Sequence, residues 1–224
     1  MTVLLLLALA LAFILADYLV QLRQARAFVP ATTAVRQPLF STLEELLPRG
    51  LFAAPGQLWS ALLPSGEIRL GVSRLILTAL QNIETVSMPR MGQRVKKGEP
   101  ILTLHLGQRS LTLRAPMAGT VTAVNANLAA DPQGLYRDAD RAWACAVQPD
   151  NLSESIKSMR IGEEALLWLR AEAARLRDFF ALSAPQPALA LQDGGLPAAG
   201  ALQTLDDAAW SKFSEEFLDR TTLN

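Results

Sequence analysis

The stretch from residue 100 to residue 124 constrains the fold most, because apolar and polar residues alternate there in short runs separated by turn residues. Alternation with a period of two is typical of half-buried β-strands. Two such runs, residues 101–106 and 111–114, flank a four-residue link that contains Gly107, and this spacing predicts a β-hairpin. A further short strand is predicted for residues 120–124.

A Pro-x-x-Gly turn lies on each side of this hairpin. One runs from Pro116 to Gly119, after the second strand, and the other from Pro89 to Gly92, before the first strand. Proline fixes its own φ and glycine tolerates positive φ, so this pair of residues favours a turn. Two similar turns around one hairpin predict two similar halves folded on each other.

In this order, the pieces resemble the lipoyl/biotinyl carrier fold, and more closely the H protein of the glycine cleavage system, from about residue 56 to residue 180. The matching positions are Trp59, Gly71, Val72, Leu80, Ile83, Met88, Pro89, Gly92, Val95, Gly98, Pro116, Gly119, Val121, Val124, Asn125, Leu128, Asp131 and Pro132. The resemblance implies a mainly β domain with flanking helices, a lipoyl-domain-like barrel-sandwich hybrid.

In that family, a lysine at the hairpin tip, eight residues before the proline of the second turn, carries lipoate through an amide. Counting back eight residues from Pro116 reaches Gln108, between Gly107 and Arg109. Arginine is no substitute, because its guanidinium stays protonated and is a poor acyl acceptor. His105 stands where family members usually place an acidic residue. We therefore interpret Gln108 as a degenerate lipoyl position and expect no cofactor.

Composition argues against several functional classes. The 224 residues carry 21 basic and 21 acidic side chains, so no basic surplus indicates nucleic-acid binding. One cysteine, Cys145, and one histidine, His105, cannot build a disulfide or a Cys/His metal cluster. Cys145 is interpreted as a core residue and His105 as a surface or structural residue. Because catalytic and nucleotide-binding motifs are also missing, we expect no enzymatic activity.

The N-terminus predicts a membrane anchor over residues 1–22. Its residues 3–16 are uninterrupted apolar sequence, and a helix of about 20 residues spans about 30 Å of bilayer. Basic residues follow this run and none precedes it, which predicts an external N-terminus and a cytoplasmic main domain in a bacterial inner membrane. The marker positions are Leu4, Leu7, Leu11, Phe13, Tyr18, Arg23 and Arg26. A cleaved signal peptide and a buried helix are the alternatives, although the charged n-region of a signal peptide is missing.

The rest of the chain divides by composition. The predicted parts are a proline-rich linker with a short helix at residues 23–56, the H-protein-like domain at 57–182, a flexible linker at 183–203 and an amphipathic C-terminal helix at 204–219. Within the domain we predict strands at 58–64, 67–72, 83–87 and 143–148, helices at 73–80, 153–157 and 162–182, and a loop at 125–142.

Two groups of side chains are candidates for binding partners. Trp210, Phe213 and Phe217 form an aromatic face on the C-terminal helix, which is too short to be stable alone and must dock on its own domain or on another subunit. A basic cluster at the first turn faces solvent, anionic lipid or an acidic partner. It consists of Arg90, Arg94, Lys96 and Lys97.

These patterns favour a non-catalytic, membrane-anchored accessory or scaffold subunit of an inner-membrane complex. An electron-transfer assembly, respiratory or photosynthetic, is the analogy we consider for that complex. The expected partners are other membrane subunits and the lipid bilayer. The alternative hypotheses are a tethered lipoyl-type carrier that uses another residue, such as Lys96 or Lys97, and a decoy for lipoate-handling enzymes.

Overall fold

The computed structural model describes residues 50–137, 142–184 and 197–219. The anchor predicted for residues 1–22, with all its marker positions, and most of the first predicted linker lie outside these ranges. Within the described ranges, no helix combines the length and the apolar character that crossing a bilayer requires.

The larger sheet is antiparallel. Its strands are β1 Phe52–Ala54, β2 Leu58–Leu62, β3 Ile68–Val72, β5 Arg94–Val95, β8 Gly119–Val124 and β9 Trp143–Pro149. They lie in the spatial order β1-β2-β3-β9-β8-β5. β2 and β3 pair from Leu58 opposite Val72 to Leu62 opposite Ile68, so the hairpin predicted around residues 64–66 is confirmed.

The smaller sheet contains the hairpin that dominates the sequence. Its strands are β4 Thr85–Ser87, β6 Pro100–Leu106 and β7 Arg109–Arg114, in the order β4-β6-β7, so β7 is an edge strand. Leu106 pairs with Arg109, and the turn therefore consists of Gly107 and Gln108 alone. The predicted four-residue link is thus too long. Gly107 has a φ of +60°, and glycine at the first central position closes a hairpin in two residues.

Short helices connect the strands, and one long helix follows the last strand. They are α1 Arg74–Leu80, α2 Ala126–Ala130, α3 Gly134–Arg137, α4 Leu152–Lys157, α5 Gly162–Ser183 and α6 Asp207–Phe213, with a 3₁₀ turn Ala201–Thr204 before α6 and a π-helical turn Ser214–Leu218 after it. Side chains of Asn125, Asn151 and Asp206 accept backbone hydrogen bonds at the starts of α2, α4 and α6. These caps satisfy amide groups that a helix leaves unpaired in its first turn.

The hydrophobic core lies between the two sheets and the helices. Leu70 and Val147 of the larger sheet, Leu104 and Leu113 of the smaller sheet, and Phe180 of α5 are all fully buried. They belong to one continuous cluster of buried side chains that also includes α1 and the residues around α6. The alternation of residues 101–114 therefore has the predicted cause: one face of the hairpin packs inward.

The described structure changes two predicted boundaries. The first linker ends earlier than residue 56, because Phe52–Ala54 is a strand and Ala53 exchanges backbone hydrogen bonds of 2.7 and 3.0 Å with Arg160. The second linker does not extend to residue 203. Gly200 donates its backbone N–H to Thr78 O at 3.0 Å, and Gln203 Nε2 donates to Leu80 O at 2.6 Å.

The segment predicted as a loop, residues 125–142, contains helices α2 and α3 within its described part, up to residue 137. Leu128 and Leu135 are buried against the core, which is what holds these short helices in place. Propensity alone does not stabilise a helix of four or five residues, so the sequence pattern of the segment carries no strong helical signal.

Candidate functional site

The candidate site is the tip of the β6–β7 hairpin. Gly107 and Gln108 are both exposed there. The nearest atom to a Cβ built on Gly107 is Glu84 Oε1, at 4.0 Å, so the tip is sterically open. A carboxamide donates and accepts hydrogen bonds but lacks the nucleophilic amine that forms an amide with an acid. Gln108 at this tip is therefore suited to hydrogen bonding with a partner.

The flank of the tip on β6 carries His105. Its side chain is half-buried, and Nε2 lies 2.9 Å from Ser87 Oγ on β4. His105 is opposite Thr85 on one side and Ser110 on the other. These contacts fit the predicted surface or structural role.

Two exposed lysines, Lys96 and Lys97, lie away from the tip. The sequence contains four lysines, Lys96, Lys97, Lys157 and Lys212. Lys96 and Lys97 are exposed in the turn before β6, and this seven-residue strand, about 20 Å long, separates them from Gln108. Lys97 also lines a cavity of about 150 Å³, and Asp150 and Glu154 line the same cavity.

Arg109, the residue after the tip, binds a stretch close to the C-terminus, residues 197–219, which we call the C-terminal segment. Arg109 Nη1 donates to Leu205 O and Nη2 donates to Asp207 Oδ1, each at 2.7 Å. The guanidinium carbon lies 5.2 Å from the centre of the Trp210 ring, and Trp210 Nε1 donates to Ser110 O at 3.3 Å. The C-terminal segment thus lies against the edge strand β7 beside the tip.

Aromatic packing attaches the C-terminal segment to α5. The Phe179 ring centre lies 5.8 Å from that of Phe213 and 5.6 Å from that of Phe217, in edge-to-face contacts. Phe213 and Phe217 stack on each other at 5.0 Å. At the far end of β7, Arg114 forms an ion pair with Asp219. The segment is therefore fixed at both ends and along its apolar face.

A buried carboxylate links the domain to the C-terminal segment. Glu172 on α5 is 5% exposed; its Oε1 accepts from Gln57 Nε2 at 2.7 Å and its Oε2 accepts from Arg175 Nη1 at 2.6 Å. Arg175 Nη2 also donates to Glu216 O at 3.2 Å, and its guanidinium carbon lies 4.7 Å from the centre of the Phe217 ring. Arg175 is thus held between the buried acid and the C-terminal segment.

The aromatic face of the C-terminal helix docks on the chain's own domain. Trp210, Phe213 and Phe217 are 8%, 0% and 2% exposed. Of the two docking modes that the sequence leaves open, the structure has the intramolecular one. A role of these three residues in binding another protein requires the segment to leave this position, and it stays a prediction.

The basic cluster is exposed, as predicted. Arg94 forms an ion pair of 2.8 Å with Asp150, and both side chains are open to solvent, so this pair contributes little to stability. Arg90, Lys96 and Lys97 are exposed beside Met91, which is 76% exposed. A lipid or protein partner for this cluster stays a prediction.

Cys145 occupies the core position that its apolar neighbours predict. The residue is fully buried in β9, and burial raises the pKa of its thiol to about 12. A thiol that stays protonated is a poor nucleophile. Among the described residues, no group of three or more His, Cys, Asp or Glu side chains could hold a metal ion.

Sequence reasoning missed the polar residues that hold the C-terminal segment. They are Arg109, Arg114, Glu172, Arg175 and Asp207. For Glu172 a signal exists, since an acid one turn from Leu169 and Leu176 interrupts the apolar face of α5. The arginines of β7 give no such signal, because an exposed arginine on an edge strand is ordinary.

Two antiparallel sheets, a hairpin with an exposed tip and a flanking long helix are the features of a lipoyl-carrier type of domain. The sequence profile of the glycine cleavage H-protein family matches residues 53–168, half of the chain. The chain therefore belongs to the glycine cleavage H-protein family.

Individual relatives are similar to parts of this chain. A probable glycine cleavage system H protein of Pyrococcus abyssi is 27% identical over 128 residues, which cover 57% of this chain and 96% of the relative. The H protein of Methylococcus capsulatus is 30% identical over 108 residues, which cover 48% of this chain and 85% of the relative. The crystal structure of an H protein from Mycobacterium marinum superposes with a TM-score of 0.42 at 24% identity, over 52% of this chain and 90% of that one.

Proposed function

We propose that this chain is a non-catalytic, membrane-anchored scaffold subunit whose H-protein-like domain docks on partners without carrying lipoate. The observation that carries the proposal is the residue at the tip: Gln108 occupies the exposed turn at the position that the family resemblance assigns to the lipoyl lysine. An amide link to lipoate requires a primary amine at that place.

The surroundings of the tip support the same proposal. Arg109, the next residue in the chain, is already engaged by Leu205 O, Asp207 and the Trp210 ring. A side chain that holds the C-terminal segment on β7 in this way serves packing and recognition. The domain then retains the shape of a carrier, and its hairpin serves as a rigid surface for protein contacts.

The membrane part of the proposal comes from the sequence of residues 1–22, which predicts an anchor with the main domain on the cytoplasmic side. The scaffold would then stand beside other membrane subunits. An electron-transfer assembly, respiratory or photosynthetic, is the class of complex that we propose by analogy. Native co-purification from detergent extracts tests this point: we expect membrane subunits to accompany the chain, and a lone chain would argue against a scaffold.

Intact mass spectrometry tests the absence of lipoate. The wild-type chain is purified from cells that actively lipoylate a co-expressed H protein, which serves as the positive control. We expect the wild-type mass to equal that of the unmodified chain. A lipoyl or octanoyl mass on the wild-type chain would overturn the proposal.

The variant Gln108→Lys adds information on the shape of the tip. If lipoate-handling enzymes still recognise the hairpin, the variant gains one lipoyl mass, whereas the matched variant Gln108→Ala gains none. Modification of Gln108→Lys together with binding of the wild-type chain to such an enzyme would favour the decoy function.

A tethered lipoyl-type carrier is the second candidate, and membership in a family of carriers favours it. It requires another acceptor amine, and Lys96 and Lys97 are exposed on a tight turn, with Lys97 beside a cavity. A lipoyl mass that disappears in the double variant Lys96→Arg, Lys97→Arg would establish this function. The change retains both charges, so loss of the mass reports loss of the amine.

A further inference from the structure

The C-terminal segment and the edge strand beneath it carry opposite charges. The described part of the segment contains five acidic side chains and one basic side chain, Lys212. Strand β7 contributes Arg109 and Arg114, which pair with Asp207 and Asp219. The segment therefore docks as an acidic helix with an aromatic face on a basic strand edge.

The covered strand is one that would otherwise be open to partners. β7 has β6 on one side and ends the smaller sheet on the other, so its outer edge is a template for binding another chain. Trp210 Nε1 donates a hydrogen bond to the carbonyl oxygen of Ser110, which belongs to this strand. The segment thus occupies the surface next to the tip.

The ion pairs between β7 and the segment are accessible to solvent. The Asp207 side chain is 96% exposed and that of Arg109 is 31% exposed. Salt and competing charges screen such an ion pair. Because α6 has only seven residues and is marginal as an isolated helix, the segment depends for its order on both these ion pairs and its aromatic packing against α5.

We propose that the edge of β7 formed by Arg109, Ser110 and Arg114 is a binding site for an acidic helix with an aromatic face, and that the C-terminal segment fills this site and competes with such a partner. The proposal rests on the proposed function in one respect: the hairpin is the docking surface. It adds the chemistry of the partner and an intramolecular competitor that regulates its access.

A peptide-binding experiment with the full-length chain tests this competition. The probe is a fluorescent synthetic peptide of residues 201–219, and binding is measured by anisotropy. The double variant Asp207→Asn, Trp210→Ala weakens the intramolecular copy and leaves β7 unchanged. We expect it to bind the peptide at least about tenfold more tightly than the wild-type chain, because a larger fraction of sites is free. The control Ala208→Ser, at an exposed position of α6, should match the wild type.

A charge exchange tests the specificity of the site. Arg109→Glu, introduced into the double variant, should weaken binding of the wild-type peptide about tenfold, and a peptide with Asp207→Lys should recover it. Equal affinity of the double variant and the wild type, or no recovery on charge exchange, would overturn the proposal. No lipoylating enzyme takes part, so these outcomes are separate from the mass measurement.

Hydrogen exchange on the unmodified full-length chain provides a test that does not depend on folding of a variant. We expect amides of residues 207–218 to exchange several-fold faster than those of β6, and the difference to increase with NaCl. Exchange of both regions at one common rate, independent of salt, would show that the segment never leaves β7 alone and would overturn the competition.

Discussion

At the scale of single residues, Trp59 and Gly71 face each other across β2 and β3. A Cβ built on Gly71 would lie 2.2 Å from Cε2 of the indole, which is far closer than any van der Waals contact. The absence of a side chain at Gly71 therefore permits the tryptophan to lie over the neighbouring strand. The backbone of Gly71 needs no positive φ, so space alone explains this glycine.

We predict that Gly71→Ala destabilises the domain by about 1–3 kcal/mol, because the buried indole has to move. Urea unfolding measures the change. Gly134→Ala is the matched control, since its new methyl group meets only the ends of two side chains, Leu128 Cδ2 at 3.2 Å and Arg137 Nη2 at 3.9 Å, and alanine favours a helix. Its free energy of unfolding should change by less than about 0.5 kcal/mol. Equal losses in both variants would contradict the steric explanation.

The buried thiol of Cys145 makes the free energy of unfolding of the domain depend on pH in the alkaline range. Burial raises the pKa of its thiol from the ordinary value of 9.0 to about 12. Between these values the unfolded chain binds fewer protons than the folded chain, so the free energy of unfolding falls as the pH rises. We expect urea unfolding between pH 8.5 and about 11 to show this decrease.

Cys145→Ala should make the decrease with pH less steep. Part of the slope remains in this variant, because burial also raises the pKa of Tyr136 to about 12. The variant is compared with the wild type at the same pH values, so a constant loss from the smaller side chain does not affect the comparison. Identical slopes would exclude the buried thiol as a source of the pH dependence.

At the scale of elements, helix α5 connects the core to the C-terminal segment. Its buried side includes Phe180 in the core and Phe179 against Phe213 and Phe217. The same side carries Glu172, whose carboxylate is held by Gln57 and Arg175. A helix whose spacing predicts one apolar stripe therefore also contains a buried polar connection.

We predict that Glu172→Gln lowers the free energy of unfolding by about 1–3 kcal/mol, because the half-buried Arg175 loses its charged, buried partner. Asp178→Asn is the matched control on the same helix. Asp178 pairs with Arg177 at the exposed surface, and such pairs contribute between about 0 and 1 kcal/mol. Denaturant unfolding measures the free energy of unfolding of both variants. Similar losses would show that the buried pair contributes no more to stability than the exposed pair.

At the scale of the whole molecule, the prediction concerns residues 1–22. We expect deletion of residues 2–22 to move the chain from the membrane pellet to the supernatant after ultracentrifugation of lysed cells, because an apolar run of this length is sufficient to span a bilayer. Washing the pellet with high salt is the control and should not release the full-length chain. Release by salt alone would indicate peripheral attachment through charges.

The sequence predicted the elements whose signals are local. The strands of residues 58–72, the β6–β7 hairpin and the long helix α5 are confirmed, because period-two and three-to-four spacings follow directly from which face is buried. Helices α2 and α3 escaped prediction, since leucines fixed in the core stabilise them. Strand β1 was not predicted, because its three residues follow a proline-rich stretch and are too few to show an alternation of apolar and polar residues.

The amino-acid sequence by itself determined the chemistry of the hairpin tip and the pattern of buried faces. Whether Gln108 carries an amine is a property of the chain and needs no coordinates. Only the tertiary structure decided that the C-terminal segment lies on β7, through Arg109 and Arg114, and on α5, through Arg175. The physical reason is that these contacts join residues separated by about 40 to 105 positions, and their geometry depends on the packing of everything between them.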